Sequence, residues 1–265
     1  MKNLLVNEWR KIRLPFCLTL ILSVIAVSLT TMLVYKSYAL EEQLEVYEVG
    51  FSIFNLFYPI LAVIPTAWLM YFERKTNFMK YTLPRVKQHT YILAKGIMSI
   101  LTGFFIIFGI SFVSVIVALY IVPPITQQLS LVNPLTGELM NSFPEVRIFG
   151  EVFVNQPFLY GLIFSVWKGF IGAVIALFGF VLSLYSRNLF VILVGPFMYM
   201  ILDNFVWNLI GPMKYNLVTA FEPSSISVDY LTWVHFVLPP IQLGIVITSY
   251  VLYMHFKLKK SVYEL

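Results

Sequence analysis

Charge is scarce in this chain. Asp, Glu, Lys and Arg together make up 12% of its 265 residues, against roughly 25% in an ordinary soluble domain, so a water-exposed globule is excluded. There is one cysteine, Cys17, inside an apolar run. No disulfide framework or thiolate metal cluster can form around it, and its plain reading is a small packing residue. No G-x-x-x-x-G-K-[ST] occurs, so the chain carries no phosphate-cradling loop of its own. There is no H-E-x-x-H, and the histidines (His89, His235, His255) are scattered along the chain, which argues against a shared metal site. Glu41-Glu42 has no basic partner spaced to complete a membrane-protease motif. No N-x-[ST] sequon reports on sidedness. Neither a catalytic residue nor a metal site is expected.

What the chain has in abundance is apolar sequence in long blocks. It is 59% hydrophobic with 24 Phe, and its mean hydropathy is +0.83. Six runs are long enough to cross a hydrocarbon core about 30 Å thick: Leu14–Tyr35, Phe51–Phe72, Ile97–Val122, Phe158–Tyr185, Leu189–Ile210 and roughly Pro240–Phe256. They lack the alternation of barrel strands, so helices must satisfy the backbone. The expected fold is all-α, a single polytopic transmembrane domain over residues 1–265. The first run is too long for a signal peptide's apolar region and no A-x-A site follows it.

The cations set the expected orientation. With the N-terminus inside, Lys2, Arg10, Lys11, Arg13, Arg74, Lys75, Lys80, Arg85, Lys87, Lys95, Arg187, Lys257, Lys259 and Lys260 all fall on the cytoplasmic side, fourteen of eighteen. The positive-inside bias therefore favours both termini in the cytoplasm of a multi-pass cell-membrane protein. It also assigns the net charge of +5 to topology, so no nucleic-acid partner is implied.

Leu5, Trp9 and Ile12 recur at helical spacing among basic residues. Residues 1–13 are expected to form a short amphipathic helix at the cytoplasmic interface, a reading compatible with an ordinary topogenic basic N-terminus. Between the second and third runs, residues 73–90 form a basic, Pro-broken cytoplasmic segment in which Phe78, Met79 and Tyr81 give a small apolar patch. Such a patch suits a partner. On the outer side lie residues 123–157, rich in turns, and residues 211–239. The latter are half apolar, broken by Gly211-Pro212 and Glu222-Pro223, and suited to short interfacial helices.

Two ionisable residues fall within spans, Lys168 in the fourth and Asp203 in the fifth. Counted from the outer ends, their depths differ by only about 5 Å, so adjacent antiparallel helices would let them pair. An unpaired charge at such depth costs at least a few kcal/mol. The fourth span also carries a stripe of small residues, Gly161, Ser165, Gly169, Gly172, Ala176 and Gly179, on the face of Lys168. That stripe suits close helix packing. Lys168 and Asp203 can be read as charges on a substrate path, as a buried pair that fixes helix register, or, for Lys168, as a side chain snorkelling outward.

Taken together, the layout resembles the ABC-2 type permeases, also called type V ABC exporters. The similarity lies in a basic helix before the first span, six spans with both ends inside, and the segment after the second span. There Glu73, the stretch Thr76–Thr82, Leu83-Pro84-Arg85 and Lys95-Gly96 look like the family's acidic residue, short helix, Leu-Pro turn and Lys-Gly start of the third span. The Gly that the family commonly shows a few residues after the acidic position is absent.

The resemblance implies a coupling helix seated on a separate ATP-binding subunit, with Glu73, Phe78, Met79, Tyr81, Leu83, Pro84 and Arg85 at the contact. It implies ATP and magnesium bound by that partner and not by this chain. It further implies pairing with a second permease chain, the same or homologous. The small size is similar to permeases of bacteriocin and lantibiotic export or immunity systems, which favours a peptide-like or amphipathic substrate. The rival readings are a stand-alone secondary transporter or channel that uses Lys168 and Asp203, and a membrane scaffold or sensor.

Overall fold

The computed structural model describes residues 2–38, 40–78, 87–125, 147–211, 215–223 and 232–258. Those residues are all-helical, with no strand among them. Six helical stretches are long and apolar enough to cross a membrane: Asn3–Ser37, Phe54–Lys75, Gln88–Ile121, Pro157–Tyr185, Leu189–Ile210 and Trp233–Phe256. This is a multi-pass membrane protein.

The first helix, α1 (Lys2–Val34), runs unbroken through Pro15. Residues 2–13, most of the segment expected as an interfacial helix, are helical and continuous with the first span. A short α2 (Glu45–Phe51) follows. The second span is divided into α3 (Phe54–Val63) and α4 (Ala67–Lys75). The interruption contains Pro65, which has no N–H to give, and Thr66, whose φ of −124° leaves the helical region. The Thr66 hydroxyl lies 3.0 Å from that of Ser99. α4 ends because Asn77 adopts a left-handed φ of 55°, which Asn tolerates better than most residues. Thr76 and Asn77, expected to begin a short helix, form this closing turn. Residues 79–86, and with them Met79, Tyr81, Leu83, Pro84 and Arg85, lie outside the described residues.

The third span, α5 (Gln88–Ile116), starts nine residues before the expected Ile97 and ends in a π turn over Val117–Ile121. α6 (Gly150–Asn155) leads into the fourth span, α7 (Pro157–Tyr185), which has Pro at its first position. The fifth span is α8 (Leu189–Ile210), capped by the Asn188 side chain accepting from Phe190 N–H at 2.9 Å. α9 (Leu217–Phe221) is a single buried turn, and α10 (Trp233–Leu258) is the last span.

α5 and α7 form the most extensive helix pair, with α1 against α5 and with α3, α4, α8 and α10 against α7. Their approach depends on missing side chains. A Cβ on Gly103 would stand 2.4 Å from Ala176 Cβ and 2.7 Å from Gly172 O, and a Cβ on Gly172 would stand 2.6 Å from Ile107 and 2.9 Å from Gly103 O. Gly161 meets Val115 and Gly179 meets Val63 in the same way. Along α1 and α8 the pattern reverses: Leu18, Leu22, Leu29, Phe190, Phe205 and Leu209 are exposed. Hydrocarbon, not water, is the natural solvent for such surfaces.

Candidate functional site

Polar side chains gather at the two ends of the helix bundle. At the end where α1 begins, α4 stops and α5 begins, two acids and two bases interlock. Lys11 Nζ lies 2.9 Å from Glu8 Oε1 and 2.9 Å from Glu73 Oε1. Lys95 Nζ lies 2.6 Å from Glu8 Oε2 and 2.7 Å from Glu73 Oε2. The Tyr91 hydroxyl donates to Glu73 Oε2 at 2.5 Å. Glu8 and Lys95 are almost fully buried, Glu73 nearly so, and only Lys11 is about one-third exposed. Each cation bridges both acids, so three chain segments far apart in sequence are tied into one closed ring.

This ring corrects one expectation. Glu73 was expected at a partner contact, but it is 6% exposed and its carboxylate is taken up by Lys11, Lys95 and Tyr91. Phe78, by contrast, is 42% exposed, with Lys11 Nζ 4.9 Å from its ring centre.

Toward the opposite end, near the middle of α7, Lys168 is fully buried. Its Nζ donates to Glu222 Oε2 at 2.5 Å and to the Tyr47 hydroxyl at 2.7 Å. It also stands 4.3 Å from the ring centre of Phe51, 4.8 Å from that of Tyr47 and 5.3 Å from that of Phe221. Aromatic faces attract a desolvated ammonium, so the cage offsets part of the hydration lost on burial. The Tyr47 hydroxyl lies 2.9 Å from Ser111 Oγ. Ser111 in turn lies 3.0 Å from Ser165 Oγ, which donates to Gly161 O at 2.7 Å. Because Ser165 spends its proton on Gly161 O, Ser111 donates to Ser165 and Tyr47 donates to Ser111. The result is a buried, one-directional hydrogen-bond chain across α2, α5 and α7. Burial also pushes the Tyr47 phenol up from its ordinary value, against the pull of Lys168, so the link stays protonated.

Lys168 and Asp203 therefore do not form the expected pair. Asp203 Oδ2 accepts from Leu217 N–H at 2.7 Å, at the start of α9, where helix N–H groups have no internal partner and the dipole favours an anion. Asn216 completes the cap by accepting from Thr219 N–H at 2.7 Å, and its amide donates to Asn204 Oδ1 at 2.8 Å. The turn Asp203 holds is the one that delivers Phe221 and Glu222 to Lys168. The two residues act on one structure without meeting.

Beside this cluster Arg147 lies 3.1 Å from Glu45 and 2.5 Å from Glu48, and 4.3 Å from the centre of the Phe153 ring. Burial pushes the Glu48 carboxyl up to about 7, even though Arg147 pulls it down.

Glu8, Tyr47, Glu222 and Arg147 escaped sequence reasoning. Glu8 had left a signal, being the one acid in the first forty residues of a basic segment. Glu222 had left little, since partnership across 54 positions has no periodicity to betray it.

Among the described residues no group of His, Cys, Asp and Glu is arranged to hold a metal ion. In comparisons with known proteins, the chain matches no protein-family model, no curated protein and no solved structure.

Proposed function

We propose that the chain is the membrane-spanning permease subunit of an ATP-driven exporter of the ABC-2 kind, energised by a separate ATPase and paired with a second permease chain. The observation that carries this reading is the closed ring of Glu8, Lys11, Glu73 and Lys95 at the root of the segment bearing Phe78. A force applied to that segment by a partner reaches α1, α4 and α5 together, because the buried ring holds their ends as one body. A merely solvated linker has no need of such an anchor. The rest of the coupling patch, Met79 to Arg85, belongs to this reading by sequence. In this orientation the ring is cytoplasmic and the Lys168 cluster faces outward, in keeping with the cation distribution. A peptide-like or amphipathic substrate is favoured by the layout resemblance.

The test is affinity purification of the intact chain from its own membranes, followed by mass spectrometry of what accompanies it. An ATP-binding protein in stoichiometric amount is expected, and its loss on Phe78→Ser with normal membrane insertion would locate the contact. Purified chain that transports in vesicles without nucleotide would overturn the proposal.

The buried Lys168–Glu222 pair with its hydrogen-bond chain supports one alternative, a secondary transporter driven by an ion gradient. Transport that follows an imposed gradient, and is abolished by Glu222→Gln, would establish it.

A further inference from the structure

Close to the charge ring, at the end of the bundle where α4 and α7 stop and α8 begins, lies a cavity of about 370 Å³ lined by Tyr71, Arg74, Lys75 and Arg187. Among the described residues that line it, Arg74, Lys75 and Arg187 are cations. None of the three forms an ion pair among the described residues. Arg187, Tyr71 and Tyr250 lie close enough to act electrostatically on Arg74. This contrasts with the neighbouring ring, where every cation has two acids. Arg74 is also held in place: its Nη1 donates to Leu184 O at 2.7 Å and its Nη2 to Ser186 O. Its Nε is buried without a hydrogen-bond partner among the described residues.

We infer that this cavity binds a phosphate group carried by an anionic phospholipid. A preset guanidinium, a second one on the α7–α8 connection and a lysine supply fork-shaped and point donors suited to phosphate oxygens. Their height supports a lipid source. Lys75 is the last residue of α4, Tyr185 ends α7 and Leu189 starts α8, so the cavity sits where membrane-crossing helices leave the hydrocarbon, at headgroup depth. Basic pockets between transmembrane helices at that level are suited to anionic headgroups. The inference rests on the membrane placement alone and is independent of the ATPase reading.

The test uses the full chain in nanodiscs of phosphatidylcholine, with and without phosphatidylglycerol, and reads lipid retention by native mass spectrometry together with the unfolding temperature. Phosphatidylglycerol should bind and raise the unfolding temperature. Lys75→Gln with Arg187→Gln should weaken its retention roughly thirtyfold while leaving the unfolding temperature in pure phosphatidylcholine unchanged. Arg74 is spared because it also caps α7. Arg10→Gln with Arg13→Gln removes two exposed cations elsewhere and should leave retention intact. Equal losses in both double variants would mean general surface attraction and would overturn the site. If inorganic phosphate alone at millimolar concentration reproduced the stabilisation, the ligand would be soluble and the lipid assignment would fail. Unchanged retention in the Lys75/Arg187 variant would also overturn it.

Discussion

Lys168 and Glu222 form a 2.5 Å ion pair across 54 residues, with Lys168 wholly buried and caged by Tyr47, Phe51 and Phe221. The pair joins the middle of α7 to the chain leaving α9, an attachment that the small helix could not secure with its five residues alone.

Breaking this pair from one side should be far worse than removing it. Lys168→Met takes the Lys168 ammonium away from Glu222, and Glu222→Gln takes the carboxylate away from the buried ammonium. Each should cost about 3–5 kcal/mol, while the double variant should recover much of that loss. Asp203→Asn should add to Lys168→Met without rescue, since the two side chains have separate partners. Thermal unfolding in detergent decides both points. Recovery of stability in the Lys168/Asp203 double variant would contradict the geometry. Transport activity of a stable Lys168/Glu222 double variant then tells whether the charges serve structure or the substrate path.

In the charge ring at the other end, exposure sets the ranking. Lys95→Met should destabilise by several kcal/mol, because two buried carboxylates lose their enclosed cation. Lys11→Met should cost about 1 kcal/mol or less, since the Lys11 side chain is 33% exposed and water can replace it. Equal losses for the two would mean that the ring acts as an indivisible unit.

The glycines give a steric test. Gly103→Ala places a methyl against Ala176 and the Gly172 carbonyl, which forces α5 and α7 apart at a cost of about 1–3 kcal/mol. Gly244→Ala, in α10, meets nothing within 4 Å. It should gain up to about 1 kcal/mol from helix propensity. Unfolding midpoints of the two variants should move in opposite directions.

Glu48 predicts a pH dependence. Burial raises its carboxyl to about 7, above the value of about 4.3 for a free glutamate. The folded chain thus holds more protons than the unfolded chain between these limits. The contribution is fully present below about 4.3 and is lost as pH rises through about 7. Glu48→Gln should flatten that part of the unfolding-temperature profile, with Arg147 still paired to Glu45. Parallel profiles for the two proteins would mean that Glu48 ionises normally.

Membrane class and helical architecture were legible in the sequence because they follow from composition and run length. The expected span Leu189–Ile210 coincides with α8, and the structure shows Asn188 capping its start and Gly211 following its end. The small residues of α7 were legible for the same reason, since helical spacing puts them on one face. The break at Pro65 was visible as a residue without being decisive. Proline is tolerated inside α1, α3, α8 and α10, and whether it divides a span depends on the packing around it. Partnership was the part that only tertiary structure decided. Depth along a helix can be counted from one end, and by that count Lys168 and Asp203 matched. Which side chain lies opposite depends on helix rotation, and on a five-residue turn folding back between α7, α8 and α10 to bring Glu222 inward. Asp203 is consumed in building that turn. The same holds for Glu73, which in sequence borders a basic loop and in space closes a ring with Glu8 and Lys95. Hydrophobic periodicity reports how a helix faces its surroundings. It carries no record of which distant charge fills the space it faces.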